Sequence, residues 1–251
     1  MLQCNSAKIP MHPKEVINKD EEGIAVDPTA YKSMIGGLRY LVHTRPDLAY
    51  SVGILSRFMD RPTQLHQGAV KRILRYVKGT IDFGLVYSQD SDNEVLIGYS
   101  DSDLAGNIED RKSTGGMVFY LNKSLITWTS QKQKCVALSS CETEFMAATA
   151  AACQAVWLRK LLAQITEYDI GPVTLFIDNK SAIDLAKNPV FHGRSKHIDI
   201  RYHFIRECVE NGEITVKHVR SEEQRADLLT KALAAVKFEI MRNLLGVVKC
   251  I

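Results

Sequence analysis

Two short apolar runs, each ending in an aspartate, constrain the fold of this 251-residue chain more than any other feature. The first is VLIGYSD, residues 95–101, and the second is VTLFID, residues 173–178. Short apolar runs rich in β-branched and aromatic residues predict β-strands. An Ala-rich stretch, residues 140–163, lies between them and has the length of a long helix. Strands separated by a helix in this way predict a sheet with helices packed on its faces.

The remaining patterns complete the order of elements. Two strand-like runs, GGMVFYL and LITWTSQ, flank Asn122-Lys123, which is typical of a short hairpin. After the second aspartate we predict a short helix stopped by Pro189, a helix over residues 195–210, a strand EITVKHV and a helix over residues 221–233. The order β-β-β-α-β-α-α-β-α favours an α/β fold of the mixed α+β kind. We expect a five-stranded mixed sheet flanked by helices, with an N-terminal helical extension.

The domain organisation follows from changes of pattern along the chain. Residues 1–30 carry no periodic pattern and predict an irregular, poorly ordered arm. Residues 31–78 have a helical pattern that Pro46 and Pro62 break, and a connection over residues 79–94 ends in the polar run SQDSDNE, where a domain boundary belongs. We therefore expect a helical segment over residues 31–90 and the sheet domain over residues 91–251.

Composition limits the classes of function. At 45% hydrophobic residues the chain can bury a core, and its net charge of +3 means that nucleic-acid affinity must come from local patches. The six cysteines form no CxxC pair, which favours free thiols in a reducing compartment. No run of eighteen apolar residues and no signal-peptide core occurs, so we expect an intracellular protein without a targeting signal or a membrane partner.

Two of four candidate metal ligands end the two apolar runs. Asp101 and Asp178 are placed where strands end, and ligands gather beyond the carboxyl ends of such strands. Each has a structural alternative, because Asp101 could form an Asx turn and Asp178 could cap the helix from Lys180. Asp103, two residues after Asp101, is the rival ligand, and the pattern alone leaves the choice between them open.

The third candidate is one of two neighbouring glutamates. Ser139-x-x-Glu142 is a capping box, which gives Glu142 the structural task of closing the helix start. Glu144 has no such task, and the small residues Ala147 and Ala148 one turn later let the helix approach the sheet. We therefore select Glu144.

The fourth candidate is Asp227, inside the helix predicted over residues 221–233. That helix opens with Ser221-x-x-Gln224, a second capping box. Asp is a poor helix-interior residue, so Asp227 is either functional or exposed. Widely spaced carboxylates that fold together can hold two hard divalent cations, and such a pair can cut a phosphodiester.

Basic residues and one histidine complete the candidate site. The basic positions belong either to solvated helix faces or to surfaces that contact phosphates, and they are Lys71, Arg75, Arg194, Lys196 and Arg201. His218 is a candidate proton shuttle, although the sequence around it also fits the end of a strand.

Several motifs together resemble the ribonuclease H domain of copia-type LTR retrotransposon polyproteins. They are GYSDSDLAG, DRKSTGGMVFYL, LSSCETEFMA, QAVWLRKLL, DNKSAIDLAKNPVFHGRSKHIDIRYHFIRE and RADLLTKAL. The match runs from about Tyr31 to Val247, and Tyr31–Lys78 is similar to the C-terminal end of the reverse transcriptase that precedes this domain in the family. Leu104, Cys141 and Phe145 depart from the family pattern without removing a carboxylate.

The resemblance implies a ribonuclease H-like fold and hydrolysis of the RNA strand of RNA–DNA hybrids. It implies two Mg²⁺ ions, for which Mn²⁺ can substitute, held by Asp101, Glu144, Asp178 and Asp227. The implied partners are an RNA–DNA hybrid and other parts of such a polyprotein. The polymerase motif Tyr-x-Asp-Asp is missing, so we expect no DNA synthesis. The alternative is a non-catalytic nucleic-acid-binding remnant of the polyprotein.

Overall fold

The structure is a computed structural model. It describes residues 3–13, 15–87, 95–187 and 196–250, without the side chains of residues 196–200 and 202. The chain divides into two compact units, one formed by the residues up to 86 with those from 231, and the other by residues 87–230.

The elements follow one another in this order along the chain. The helices are α1 (Pro28–Leu41), α2 (Ala49–Leu55), α3 (Gln64–Lys78), α4 (Ser140–Thr166), α5 (Lys180–Lys187), α6 (Lys196–Glu210) and α7 (Ala235–Leu244). The strands are β1 (Phe83–Leu85), β2 (Leu96–Ser102), β3 (Thr114–Leu121), β4 (Ser124–Lys132), β5 (Val173–Ile177), β6 (Ile214–His218) and β7 (Val247–Lys249). Short 3₁₀ helices occupy Pro46–Leu48, Ser56–Phe58 and Arg225–Leu229.

The first unit is organised around a buried ion pair. Arg45 and Asp47 are 5% and 2% exposed and form two parallel hydrogen bonds, Nε–Oδ1 at 2.9 Å and Nη2–Oδ2 at 2.8 Å. The Tyr76 hydroxyl donates to Asp47 Oδ2 at 2.6 Å, and Arg45 Nη1 donates to the carbonyl of Thr80 at 2.9 Å. The pair therefore ties the loop before α2 to the end of α3.

The C-terminal segment belongs to this first unit and differs from the predicted 91–251 domain. Strand β7 pairs antiparallel with β1, Phe238 packs edge-on against Tyr76 at 5.5 Å, and Arg242 stacks over Phe83 at 4.2 Å. These are long-range contacts that local patterns in the sequence do not encode. The domain boundary after residue 230 is therefore a tertiary property.

The irregular arm at the N-terminus packs on α3. Ile9 and Met11 are each 5% exposed. Arg75 Nε donates to the carbonyl of Asn5 at 2.7 Å, and Lys78 Nζ donates to the carbonyl of Cys4 at 2.7 Å. In this part the irregular arm buries apolar side chains, and its carbonyls accept hydrogen bonds from the basic face of α3.

The second unit contains the predicted five-stranded mixed sheet. Its strand order is β4-β3-β2-β5-β6, with β4, β3 and β2 antiparallel and β2, β5 and β6 parallel. Asn122 adopts a positive φ of 55° in the predicted hairpin turn. Helix α4 packs on the sheet through Phe145 and a row of alanines, so the predicted α/β fold class is confirmed. All six cysteines lie in the described residues and are free thiols, as predicted.

No helix of the described residues is both long enough and apolar enough to cross a membrane.

Candidate metal centre

Two carboxylates meet at one edge of the sheet because their strands are parallel neighbours. Strands β2 and β5 pair in the register Tyr99↔Phe176, so their carboxyl ends reach the same edge. Asp101 is the penultimate residue of β2, and Asp178 directly follows the last residue of β5. The cap of α5 is the neighbouring Asn179, whose Oδ1 accepts from the Ala182 N–H at 3.0 Å. Asp178 is therefore available to the site rather than used as that cap.

Glu144 reaches the same edge from the start of α4. Its Oε1 accepts a hydrogen bond from the Ser102 N–H at 3.2 Å, and the residue is 6% exposed. Single oxygens of Asp101, Glu144 and Asp178 lie within 4.8 Å of one another. The structure thus brings three of the four predicted carboxylates together.

Glu142 performs the capping task assigned to it. The Ser139 hydroxyl accepts from the Glu142 N–H at 3.2 Å, and Glu142 Oε2 accepts from the Leu138 N–H at 2.8 Å. Both ends of the interaction close the start of α4. Glu142 therefore stabilises the helix start, whereas Glu144 lies beside Asp101 and Asp178.

The pKa of Glu144 is raised by its buried position among other carboxylates. Burial, and after it the negative charges of Asp101 and Asp178, raise the pKa of Glu144 to about 10. Carboxylates this close cannot all ionise easily without a compensating cation. In the absence of a cation, Glu144 is therefore protonated at neutral pH.

Asp103, the rival metal ligand, uses its carboxylate and its backbone in hydrogen bonds to Thr114. Its Oδ1 accepts a short hydrogen bond from the Thr114 N–H, and its N–H donates to the Thr114 carbonyl at 3.1 Å. These bonds fix the exit of β2 against β3. The arrangement agrees with the structural role that the family resemblance implies for Asp103.

Asp227 lies on a short 3₁₀ helix, and the predicted helix over residues 221–233 is wrong. The turn Arg225–Leu229 is capped by Gln224, whose side chain accepts from the Ala226 N–H at 3.3 Å. Gln224 Nε2 also donates to the Ser100 carbonyl at 2.9 Å. This tertiary bond to β2 draws Gln224 into the core and replaces the capping box read from the sequence.

Ser221, the first residue of the predicted capping box, contacts one of the clustered carboxylates. Ser221 Oγ donates to Asp178 Oδ2 at 3.1 Å. Asp227 is 1% exposed and stands outside the group of three carboxylates within 4.8 Å. Three residues later, the Thr230 hydroxyl donates a short hydrogen bond to Asp101 Oδ2, so the turn that carries Asp227 contacts the cluster.

His218 is the last residue of β6, which matches the alternative reading of its sequence. It pairs in register with Ile177, one residue before Asp178, and its side chain is exposed. The imidazole therefore belongs to the strand next to the acidic cluster and has access to solvent.

The predicted basic contacts have different surroundings. Arg201 lines an apolar groove of about 460 Å³ with Phe204, Met146 and Met117, and it lies in the same unit as the carboxylates. Lys196 begins α6, but its side chain lies outside the described residues, as does the whole of Arg194.

The other two basic residues belong to the first unit. Lys71 is exposed and donates to Gln67 at 3.2 Å, whereas Arg75 binds the N-terminal arm through Asn5. Arg75 therefore has a structural partner that the helical pattern did not reveal.

The cluster has the donor set of a hard divalent cation. Its atoms are carboxylate oxygens, and one oxygen from each of three residues lies within 4.8 Å of the other two. Sequence reasoning missed Thr230 and Ser221, whose hydroxyls orient Asp101 and Asp178. A serine or threonine in a predicted helix gives no signal for such a contact.

No protein-family model matches the chain. The chain is 43% identical over 217 residues to the retrovirus-related Pol polyprotein from transposon TNT 1-94 of Nicotiana tabacum, covering 86% of this chain and 16% of that protein. It is 42% identical over 249 residues to the corresponding polyprotein from transposon RE2 of Arabidopsis thaliana, covering 99% of this chain and 17% of that protein.

Among solved structures, LC11-RNase H1 isolated from compost aligns with a TM-score of 0.42 and 15% identity, covering 55% of this chain and 93% of that chain. The chain spans 16–17% of the length of the two polyproteins it matches. Over 86–99% of its own length, it corresponds to one region of the retrovirus-related Pol polyproteins of copia-type plant transposons.

Proposed function

We propose that the second unit is a ribonuclease H that hydrolyses the RNA strand of RNA–DNA hybrids. The observation that carries the proposal is the approach of Asp101, Glu144 and Asp178, with oxygens within 4.8 Å, at one edge of the mixed sheet. The similarity to retrovirus-related Pol polyproteins supports it, since the resemblance implies a ribonuclease H in this region. The hybrid and other parts of a polyprotein are the proposed partners.

The carboxylates would hold two divalent ions, Mg²⁺ or Mn²⁺ in its place. Asp101, Glu144 and Asp178 supply the clustered oxygens, and Asp227 is proposed as the fourth ligand from the neighbouring turn. When bound, such ions lower the pKa of an attacking water and stabilise the leaving 3′-oxygen. Glu144 must give up its proton before it can act as a ligand, so ion binding is coupled to proton release.

The protein's own groups position the reaction. The Ser102 N–H holds one oxygen of Glu144, and Ser221 and Thr230 hold one oxygen each of Asp178 and Asp101. Each carboxylate thus keeps its other oxygen in a defined direction. Preorganised ligands of this kind avoid rearrangement when substrate and ions arrive.

His218 is proposed as the proton shuttle to the leaving group. It ends β6 beside the strand that leads to Asp178, and its exposed ring can exchange protons with water. Imidazole side chains commonly transfer protons in enzyme active sites.

Contacts to the hybrid are proposed for the basic residues. Arg201 shares a unit with the carboxylates, and Arg194 and Lys196 are close to it in sequence. Lys71 and Arg75 are proposed as weaker contributors from the first unit. Recognition would rest on phosphates, 2′-hydroxyls and hybrid shape rather than on base sequence.

The test is cleavage of a labelled RNA–DNA hybrid by the purified chain in Mg²⁺. We expect cuts in the RNA strand that depend on Mg²⁺, persist in Mn²⁺ and disappear when a chelator is added. Single-stranded RNA and duplex DNA should remain intact. Tight binding of the hybrid without any cleavage would instead establish the non-catalytic remnant.

A further inference from the structure

The 3₁₀ helix Arg225–Leu229 is fastened to the sheet at several points. Gln224 binds the Ser100 carbonyl on β2, and Ser130 Oγ on β4 donates to the Leu229 carbonyl at 2.6 Å. The Arg225 guanidinium stacks over the rings of two buried tyrosines at 5.0 and 4.6 Å, and these are Tyr99 and Tyr120. The backbone of this turn is therefore fixed independently of Thr230.

Gly116 on β3 allows the end of the turn to lie directly on the sheet. A Cβ atom added there would stand 2.8 Å from Leu229 Cβ and 2.9 Å from Thr230 Cγ2, closer than real side chains approach. Gly116 is also the register partner of Asp101 across β2 and β3. The glycine thus places the Thr230 side chain beside Asp101.

The Thr230 hydroxyl has two acceptors within reach and one proton. It lies against Asp101 Oδ2 in a short hydrogen bond and is 3.1 Å from the carbonyl of Asp227. A hydrogen bond to an ionised carboxylate is stronger than one to a neutral carbonyl, so the proton goes to Asp101. A threonine that only stabilised its own turn would need only the hydrogen bond to the Asp227 carbonyl.

We propose that Thr230 is a positioning residue that orients the Asp101 carboxylate for cation binding. The proposal rests on the proposed function, since it assumes that Asp101 is a ligand. Thr230 is fully buried, so its hydroxyl is held in place and water does not compete for the carboxylate oxygen. One Asp101 oxygen is thereby committed to Thr230, and the carboxylate plane is set for the shared ion. Partners that orient ligands typically change metal affinity or activity by roughly 10- to 100-fold when they are removed.

The experiment compares Thr230→Val with Thr230→Ser in the full chain. Valine keeps the shape and removes the hydroxyl, whereas serine keeps the hydroxyl. Mn²⁺ binding to the substrate-free protein is measured by electron paramagnetic resonance, and the Mg²⁺ concentration for half-maximal hybrid cleavage is measured in parallel. We expect both affinities to fall by roughly 10-fold or more in the valine variant and to be restored by serine.

Thr149→Val is the matched control. Thr149 is a buried threonine of α4 whose hydroxyl donates to the Phe145 carbonyl at 2.9 Å and contacts no carboxylate of the cluster. We expect this variant to lose some stability and to keep the Mn²⁺ affinity of the parent chain.

The outcomes separate the positioning role from the proposed function. Unchanged Mn²⁺ affinity in Thr230→Val would overturn the positioning role, whatever the nuclease assay shows. Weaker Mn²⁺ binding in a chain that never cuts a hybrid would uphold the positioning role and reject the proposed function. If the valine variant does not fold, Thr230→Ala gives the same comparison with a smaller side chain, and unchanged affinity there would equally overturn the proposal.

Discussion

The Ser102 N–H donates a hydrogen bond to Glu144 Oε1 at 3.2 Å, one residue beyond Asp101. A strand end and a helix start are thereby joined through the carboxylate that the site requires. The bond also explains why Glu144 can be buried among acids, because one of its oxygens is satisfied by the backbone.

The first prediction concerns the pH dependence of stability without divalent cations. Because the pKa of Glu144 rises from 4.5 to about 10 on folding, the folded chain keeps a proton that the unfolded chain loses. Its contribution to stability is full below about pH 4.5 and is lost as the pH rises toward 10. Urea denaturation at several pH values should show stability falling by at most about 1.4 kcal/mol per pH unit from this group.

Glu144→Gln is the test of that assignment, since the amide cannot ionise. The variant should show a flatter fall of stability between pH 6 and 9 than the parent chain. An equally steep fall in the variant would show that another group is responsible.

The second prediction separates the two glutamates of α4. Glu142→Ala should lose about 1–2 kcal/mol of stability through the helix start and should keep hybrid cleavage. Glu144→Gln should stay folded and lose cleavage, because a ligand is removed. Denaturation and cleavage assays on both variants decide the matter, and the reverse pattern would mean that the wrong carboxylate has been chosen.

The third prediction uses two adjacent glycines of β3 as a matched pair. An alanine at Gly116 would place its Cβ 2.8 Å from Leu229 Cβ, whereas one at Gly115 would meet Ala147 Cβ at an ordinary 3.6 Å. Gly116→Ala should therefore cost about 1–3 kcal/mol and reduce cleavage at least about 10-fold by displacing the turn with Asp227. Gly115→Ala should be close to the parent chain in melting temperature. Equal behaviour of the two variants would contradict this packing.

The fourth prediction concerns the buried pair Arg45–Asp47. Asp47→Ala leaves the Arg45 charge buried without its carboxylate and should destabilise the first unit by about 3–5 kcal/mol. The double change of Arg45→Met with Asp47→Leu removes both charges and should recover much of that loss. Urea denaturation of the single and double variants measures the difference, and a double variant no better than the single one would argue against an unpaired charge as the cause.

The sheet and the capping role of Glu142 could be predicted because both depend on local sequence. Apolar runs that end in aspartate predicted β2 and β5, and parallel pairing then brought Asp101 and Asp178 to one edge. The capping box predicted that Glu142 closes the helix start, and its hydrogen bonds confirm this.

The turn with Asp227 could not be predicted, because a tertiary contact overrides its local pattern. Ser221-x-x-Gln224 reads as a helix start, yet Gln224 is drawn to the Ser100 carbonyl and Ser221 to Asp178. The pairing of β7 with β1 could not be predicted either, because it joins segments about 160 residues apart in sequence. Long-range contacts of this kind leave no periodic signal.

The most direct test of the proposed metal centre is hybrid cleavage in saturating Mg²⁺ by the parent chain and by Asp178→Asn. The asparagine keeps the shape of the side chain and removes one charge from the cluster, which relieves repulsion on Glu144. We predict Mg²⁺-dependent cuts in the RNA strand by the parent chain and none by the variant, whose melting temperature should be equal or higher. A folded variant that cuts the hybrid at the parent rate would contradict the assignment of these carboxylates as the metal centre.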